Sequence, residues 1–172
     1  MKPLLIIVVI SLTAGANTSA QTDTTYVKSM DAILNTLYAV ISGEKGEARD
    51  WELFRSLFHP DAKLIPSGKN KEGRHFARFM TPDEYVERSG PWLIENGFFE
   101  KEIHRQVDTF GNITQVFSTY ESFRSKADEK PFMRGINSIQ LLYDEERWWI
   151  INIYWMQESE ANPIPEVYLP KD

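Results

Sequence analysis

Residues 148–157 read Trp-Trp-Ile-Ile-Asn-Ile-Tyr-Trp-Met-Gln, a strand's length of apolar, mostly β-branched and aromatic side chains broken only by Asn152 before it ends on Gln157. Side chains alternate across a strand, so Trp149, Ile151, Ile153 and Trp155 share one face. Trp148, Ile150, Tyr154 and Met156 share the other. A strand apolar on both faces is covered on both. One face meets a core or a cavity. The other needs either the C-terminal tail or a second copy of the chain, and a homodimer through Trp148, Ile150 and Tyr154 is one of these two expectations. Working outward, the same period of two predicts strands over 98–108, 112–124, 132–143 and 147–157. Asp108–Asn112 and Asp144–Arg147 have the composition of tight hairpin turns, and Ser125–Pro131 that of a longer polar one.

Upstream the period changes. Met30, Ile33, Leu34, Leu37, Tyr38 and Ile41 recur at three- and four-residue spacing and predict a helix over roughly 25–42. Asp50 has the place of an N-cap for a short helix carrying Trp51, Phe54, Leu57 and Phe58, stopped by His59-Pro60. Residues 62–65 suit a brief strand. Thr81-Pro82-Asp83-Glu84 combines a capping threonine, a first-turn proline and a glutamate three residues after the cap, so a third helix starts there, breaks or kinks near Gly90-Pro91 and ends at Asn96-Gly97. Helices first and antiparallel strands after them specify an α+β fold, with N-terminal helices packed on one face of a strongly curved antiparallel sheet.

Residues 1–20 are read apart from that fold. Lys2, the apolar run Leu4–Leu12 and the small residues after it have the layout of a secretory signal, too short to span a bilayer. Cleavage fits after Ala20 or after Ala16; Ala20 is preferred, leaving one domain over 21–172 with an extended tail from about 158. An exported protein, periplasmic or secreted, is the expectation. The chain contains no cysteine, which excludes disulfides, thiolate ligands and a lipid-modified cysteine. Without Lys2 the balance is 18 basic against 25 acidic side chains, net −7, which disfavours nucleic acid or an anionic membrane as partner. Three scattered histidines give no metal-ligand spacing, and no phosphate loop, nucleophile elbow or other cofactor motif is present.

The link Phe58-His59-Pro60-Asp61-Ala62, the strand Phe117–Phe123 (Phe-Ser-Thr-Tyr-Glu-Ser-Phe) and the closing segments Arg134–Tyr143 and Trp148–Trp155 resemble the nuclear transport factor 2-like superfamily. Ketosteroid isomerases, scytalone dehydratase and SnoaL-type cyclases share that fold. The resemblance implies a cone-shaped α+β barrel with a cavity at its open end. It places the isomerases' tyrosine at Tyr38, their general base at Pro66, their second oxyanion donor near Ser138 and a wall aromatic at Trp155. Proline moves no proton, so the isomerase mechanism is not expected here, while the cavity is.

Hairpin parity across Asp144–Arg147 places Ile136, Ser138 and Gln140 beside Ile151, Ile153 and Trp155, with Arg134 at the rim. The candidate ligand-binding set is therefore Tyr38, Phe54, Arg134, Ser138, Gln140, Ile153 and Trp155, around a small apolar molecule. The competing reading is a packed core in which these polar groups satisfy backbone. A lyase or isomerase needs a titratable group beside Tyr38, and His104 is the candidate, although Glu102, Gln106 and Asp108 read as a solvated stripe with it. The basic stretch Lys69–Arg78 reads as a solvated loop able to guide an anion. An interaction domain working through the outer sheet face is the third function class.

Overall fold

A computed structural model describes residues 24–171; the expected signal segment and its cleavage site lie outside them. A 3-10 turn at Thr25–Val27 leads into α1 (Met30–Ile41), whose N-cap Ser29 accepts from the Ala32 amide. The three-and-four spacing turns Ile33, Leu34, Leu37, Tyr38 and Ile41 inward, and all are buried. Each such aliphatic side chain contributes about 2 kcal/mol of burial free energy. Asp50 caps α2 (Trp51–Ser56) by accepting from the Leu53 amide, and Phe54 is fully buried beneath it. Thr81 and Glu84 form the complete capping box of α3 (Pro82–Asn96). That helix continues unbroken through Pro91, where a break or a kink was expected. Gly90 lies against the Trp51 ring and Leu93 is in the core, so packing on both sides of the proline holds the turn that its missing amide weakens.

The six strands are β1 (Phe58–Lys69), β2 (His75–Ala77), β3 (Phe99–Phe110), β4 (Ile113–Phe123), β5 (Met133–Tyr143) and β6 (Trp148–Gln157), in spatial order β2-β1-β6-β5-β4-β3. The four long C-terminal strands match the period-two reading to within two residues at each end. β1 is longer than the expected 62–65 and pairs in parallel with β6, so the sheet is mixed, antiparallel everywhere except at that one pairing. Pro60 sits where the β1–β6 register shifts between Phe58 and Lys63, a place where a missing amide donor removes no ladder bond. The helices pack on the concave face, and the fold is the expected α+β cone.

Two bulges decide which side chains enter that cone. From Tyr143↔Trp148 to Leu141↔Ile150 the β5–β6 hairpin keeps one register; beyond it Ile151 is extra, and Gln140 pairs with Asn152, Asn137 with Trp155. A one-residue slip moves every later side chain to the opposite face. The inward set is therefore Gly135, Asn137, Ile139 and Leu141 opposite Trp155, Ile153 and Ile150, while Arg134, Ser138 and Gln140 face outward, contrary to the simple parity. The second bulge, at Ile103 between Glu102 and His104, pairs Glu102 with Tyr120 and His104 with Thr119. Glu102 and Arg105 thereby face inward together and His104 does not, so the expected stripe of His104 with Glu102 is split.

The outer face is crossed by the tail. Tyr168 packs its ring on Phe117 at 4.9 Å and accepts at its carbonyl from Thr119 Oγ1 at 2.6 Å, and the Ile164 amide donates to Glu158. Ile150 is fully buried in the core and Trp148 packs against it. Of the three residues expected to form a dimer face, only Tyr154 points outward, so Ile150 is corrected to the core and Trp148 to the margin of it.

Candidate functional site

The cone encloses a cavity of about 180 Å³ between α1, α2, α3 and the concave sheet. Its walls are mainly apolar: Leu37, Phe54, Leu93, Phe98, Ile153 and Trp155 among them. Phe54 stacks on Tyr85 at 5.4 Å and Tyr85 meets Trp155 edge-on, so one aromatic row spans helix to sheet. The volume suits a molecule of about one ring, since an engineered apolar cavity of about 150 Å³ takes benzene.

Polar groups converge at one side of this cavity. Glu100, on β3, accepts from Ser122 Oγ at 3.1 Å and from Asn137 Nδ2 at 3.3 Å. The same Asn137 nitrogen donates to the Tyr38 hydroxyl at 3.1 Å, and Tyr38 is 2.7 Å from Ser118 Oγ. Burial pushes the Glu100 carboxyl up to about 7 against the opposing pull of the Ser122 and Asn137 donors. Both charge states are then populated at neutral pH. Burial, and then the Glu100 carboxylate, push the Tyr38, Tyr85 and Tyr120 phenols above their ordinary values, so all three stay protonated. Tyr120 is 1% exposed, and neither its hydroxyl nor that of Tyr85 has a hydrogen-bond partner among the described residues. Both residues line the cavity, where a ligand or water can supply the partner. Gly135 makes room for this hydroxyl: a Cβ there would lie 2.5 Å from Tyr120 Oη and 2.5 Å from the Met156 carbonyl.

Four of the residues expected to line a ligand pocket, Tyr38, Phe54, Ile153 and Trp155, are brought together here. Arg134 instead pairs with Glu158 through Nε at 2.8 Å and Nη2 at 3.1 Å, Gln140 meets Gln115, and Ser138 lies under the tail. These three are corrected to the outer side by the Ile151 bulge. His104 is on that side too, with a buried Nε2 that has no partner among the described residues, and it is no base for this cavity. Glu100, Asn137, Tyr85 and Tyr120 were missed. Tyr120 was legible: Ser118, Tyr120 and Ser122 alternate within an aromatic strand, which puts three hydroxyls on one face. Glu100 sits opposite Ser122, but only once the β3–β4 register is known. Among the described residues no group of acids and histidines has metal-holding geometry.

No protein-family model and no curated protein sequence matches the chain. Solved structures do match. A proposed scytalone dehydratase from Novosphingobium aromaticivorans superposes with a TM-score of 0.56 at 12% identity, over 81% of this chain and 89% of that one. A proposed calcium/calmodulin-dependent protein kinase II association domain from Xanthomonas campestris gives 0.55 at 17%, over 76% and 86%. An NTF2-like protein of unknown function from Silicibacter pomeroyi gives 0.50 at 17%, over 74% and 92%. Identities this low speak for architecture alone, and with the mixed six-stranded sheet curved around its helices they make this chain a bearer of the nuclear transport factor 2-like cone fold.

Proposed function

We propose that this chain binds a small, largely apolar molecule bearing a carbonyl or hydroxyl oxygen in its cone, and that Glu100 exchanges a proton with it. The observation that carries the reading is the half-buried Glu100, poised near neutrality, on the wall of an aromatic cavity beside two phenols without partners among the described residues. The phenols donate to the ligand oxygen and the carboxyl takes or gives a proton beside it, the division of labour of a lyase or isomerase. A fold neighbour described as a proposed scytalone dehydratase is consistent with a reading of that class.

A panel of cyclic ketones from cyclohexenone to tetralone, titrated against tryptophan emission from Trp92 and Trp155, tests the reading. At least one is expected to bind, and Tyr120→Phe to weaken it about tenfold, the worth of one lost hydrogen bond. Ser138→Ala, on the outer face, is expected to change nothing. No binding across the panel, or weakening by Ser138→Ala alone, sinks the proposal.

The reading includes export, which rests on the charged start, apolar run and small residues of positions 1–20. N-terminal sequencing of protein recovered outside the cytoplasm is expected to begin at Gln21. Intact Met1 on protein held in the cytoplasm overturns it.

A further inference from the structure

The polar side of the cone is the inner end of a longer chain of hydrogen bonds. Asp31, on α1, accepts from Arg105 Nη1 at 2.7 Å, and Arg105 Nε donates to Glu102 Oε1. The other oxygen of Glu102 accepts from Ser118 Oγ. Then follow Tyr38, Asn137 and Glu100. The direction of every link is determined by counting hydrogens. Glu102, ion-paired with Arg105, is a carboxylate and can only accept. Ser118 has one hydroxyl hydrogen and spends it on Glu102. The Tyr38–Ser118 bond must therefore run from the Tyr38 hydroxyl to Ser118. Tyr38, its hydrogen committed, can only accept from Asn137, so the Asn137 atom between Tyr38 and Glu100 has to be the amide nitrogen. That nitrogen is also a donor to Glu100, which favours the carboxylate form.

We propose that Glu102 is a positioning residue: by taking the hydrogen of Ser118 it sets the direction of this chain, withholds the Tyr38 hydrogen from ligands and holds the Asn137 amide nitrogen against Glu100. The inference rests on the reading of Glu100 as the proton-transferring group. It also reassigns Tyr38. The hydroxyl that the resemblance implied as a ligand donor points its hydrogen away from the ligand, and the donors left for a ligand are Tyr85 and Tyr120. The titratable side chains facing Glu100 are Tyr38 from α1, Tyr85 from α3 and Tyr120 from β4. Lys101, its neighbour in sequence, turns to the other face over Phe123.

Glu102→Gln tests the direction because its outcome has a sign. Arg105 Nε requires an acceptor, so the glutamine oxygen goes to Arg105 and its amide nitrogen faces Ser118. Ser118 is then free to donate to Tyr38, Tyr38 to donate to Asn137, and the Asn137 amide to turn its oxygen toward both Tyr38 and Glu100. An oxygen there bonds only the protonated carboxyl. The Glu100 midpoint, followed by carboxyl-carbon NMR in the ligand-free protein, is expected to rise by about one pH unit. Removing a nearby negative charge without any reversal lowers that midpoint instead. Ser118→Ala keeps the Glu102 charge, releases the Tyr38 hydrogen, and is expected to raise the midpoint likewise. A midpoint unmoved or lowered in either folded variant overturns the role of Glu102. A wild-type midpoint in the ordinary carboxylate range sinks the acid-base reading of Glu100 itself, which keeps the two failures apart.

Discussion

Glu100→Gln is expected to unfold at higher urea concentration than the wild type at pH 8, by about 3 kcal/mol, and to match it at pH 4. The sign follows from where the proton is. In the folded chain burial raises the Glu100 carboxyl from 4.5 to about 7, whereas the unfolded chain returns it to the ordinary value. Between those limits the folded state holds a proton that the unfolded state has lost, so stability falls as pH rises. The contribution is fully present below about 4.5 and is lost as pH passes through about 7. A difference of this size amounts to about 3 kcal/mol. Glutamine carries no titrating proton and escapes the loss. Other acids oppose this trend: Arg134 beside Glu158, and the Trp149 indole with backbone amides beside Asp144, lower those carboxyls. They are common to both proteins and cancel in the difference. Urea midpoints at pH 4, 6 and 8 with an unchanged m-value make the measurement. A glutamine variant less stable at pH 8 means that Asn137 and Ser122 hold Glu100 as a structural anion, and the proton-transfer reading fails with it. The gain in stability on removing a group is the signature of a site kept at the fold's expense.

What was legible in the sequence was local, and what was not depended on long-range pairing. Helix caps at Asp50 and Thr81 and the alternation of four strands are local signals, each contained in about ten residues, and they located α2, α3 and β3–β6 to within two residues. The site depends on register, which is not local. Residues 148–157 alternate so evenly in apolar character that nothing marks Ile151 as the extra residue, because Ile150, Ile151 and Ile153 suit either face. The bulge exchanges Ser138 for Asn137 in the cone. Phe54, Ile153 and Trp155 were placed at the cavity because they sit on strongly patterned elements or beyond the slip in the same inward sense. Glu100 was read past for a different reason. An acid two residues into a strand of mixed charge, Glu100 to Arg105, has the composition of a solvated edge. Only the helices folded over it make that edge a cavity wall.

Arg49→Met is expected to cost about 3 kcal/mol of folding stability and to disturb the site from a distance. Arg49 is 7% exposed, and its guanidinium donates to the carbonyls of Ile41 at 3.0 Å, Gly43 at 2.7 Å and Leu93 at 3.3 Å, as well as to that of Glu47. Ile41 ends α1, and Leu93 is in the last turn of α3, so one cation satisfies orphan carbonyls of both helices where their dipoles are negative. Methionine keeps the length and loses every donor, leaving buried acceptors at about 1–3 kcal/mol each, partly offset by relief of the buried charge. Gly43 belongs to the same unit: its backbone pairs with Phe98, and a Cβ on it would overlap the guanidinium. Gly43→Ala is therefore expected to destabilise through Arg49, and the double variant to cost clearly less than the sum of the singles. Additive losses in urea denaturation would falsify the shared cause. The coupling matters for the cone because α1 carries Tyr38 and α3 carries Tyr85. A guanidinium bonded to both helix ends fixes the angle at which the two phenols approach Glu100, and Arg49→Met is expected to lower ligand affinity even under conditions where the variant remains folded.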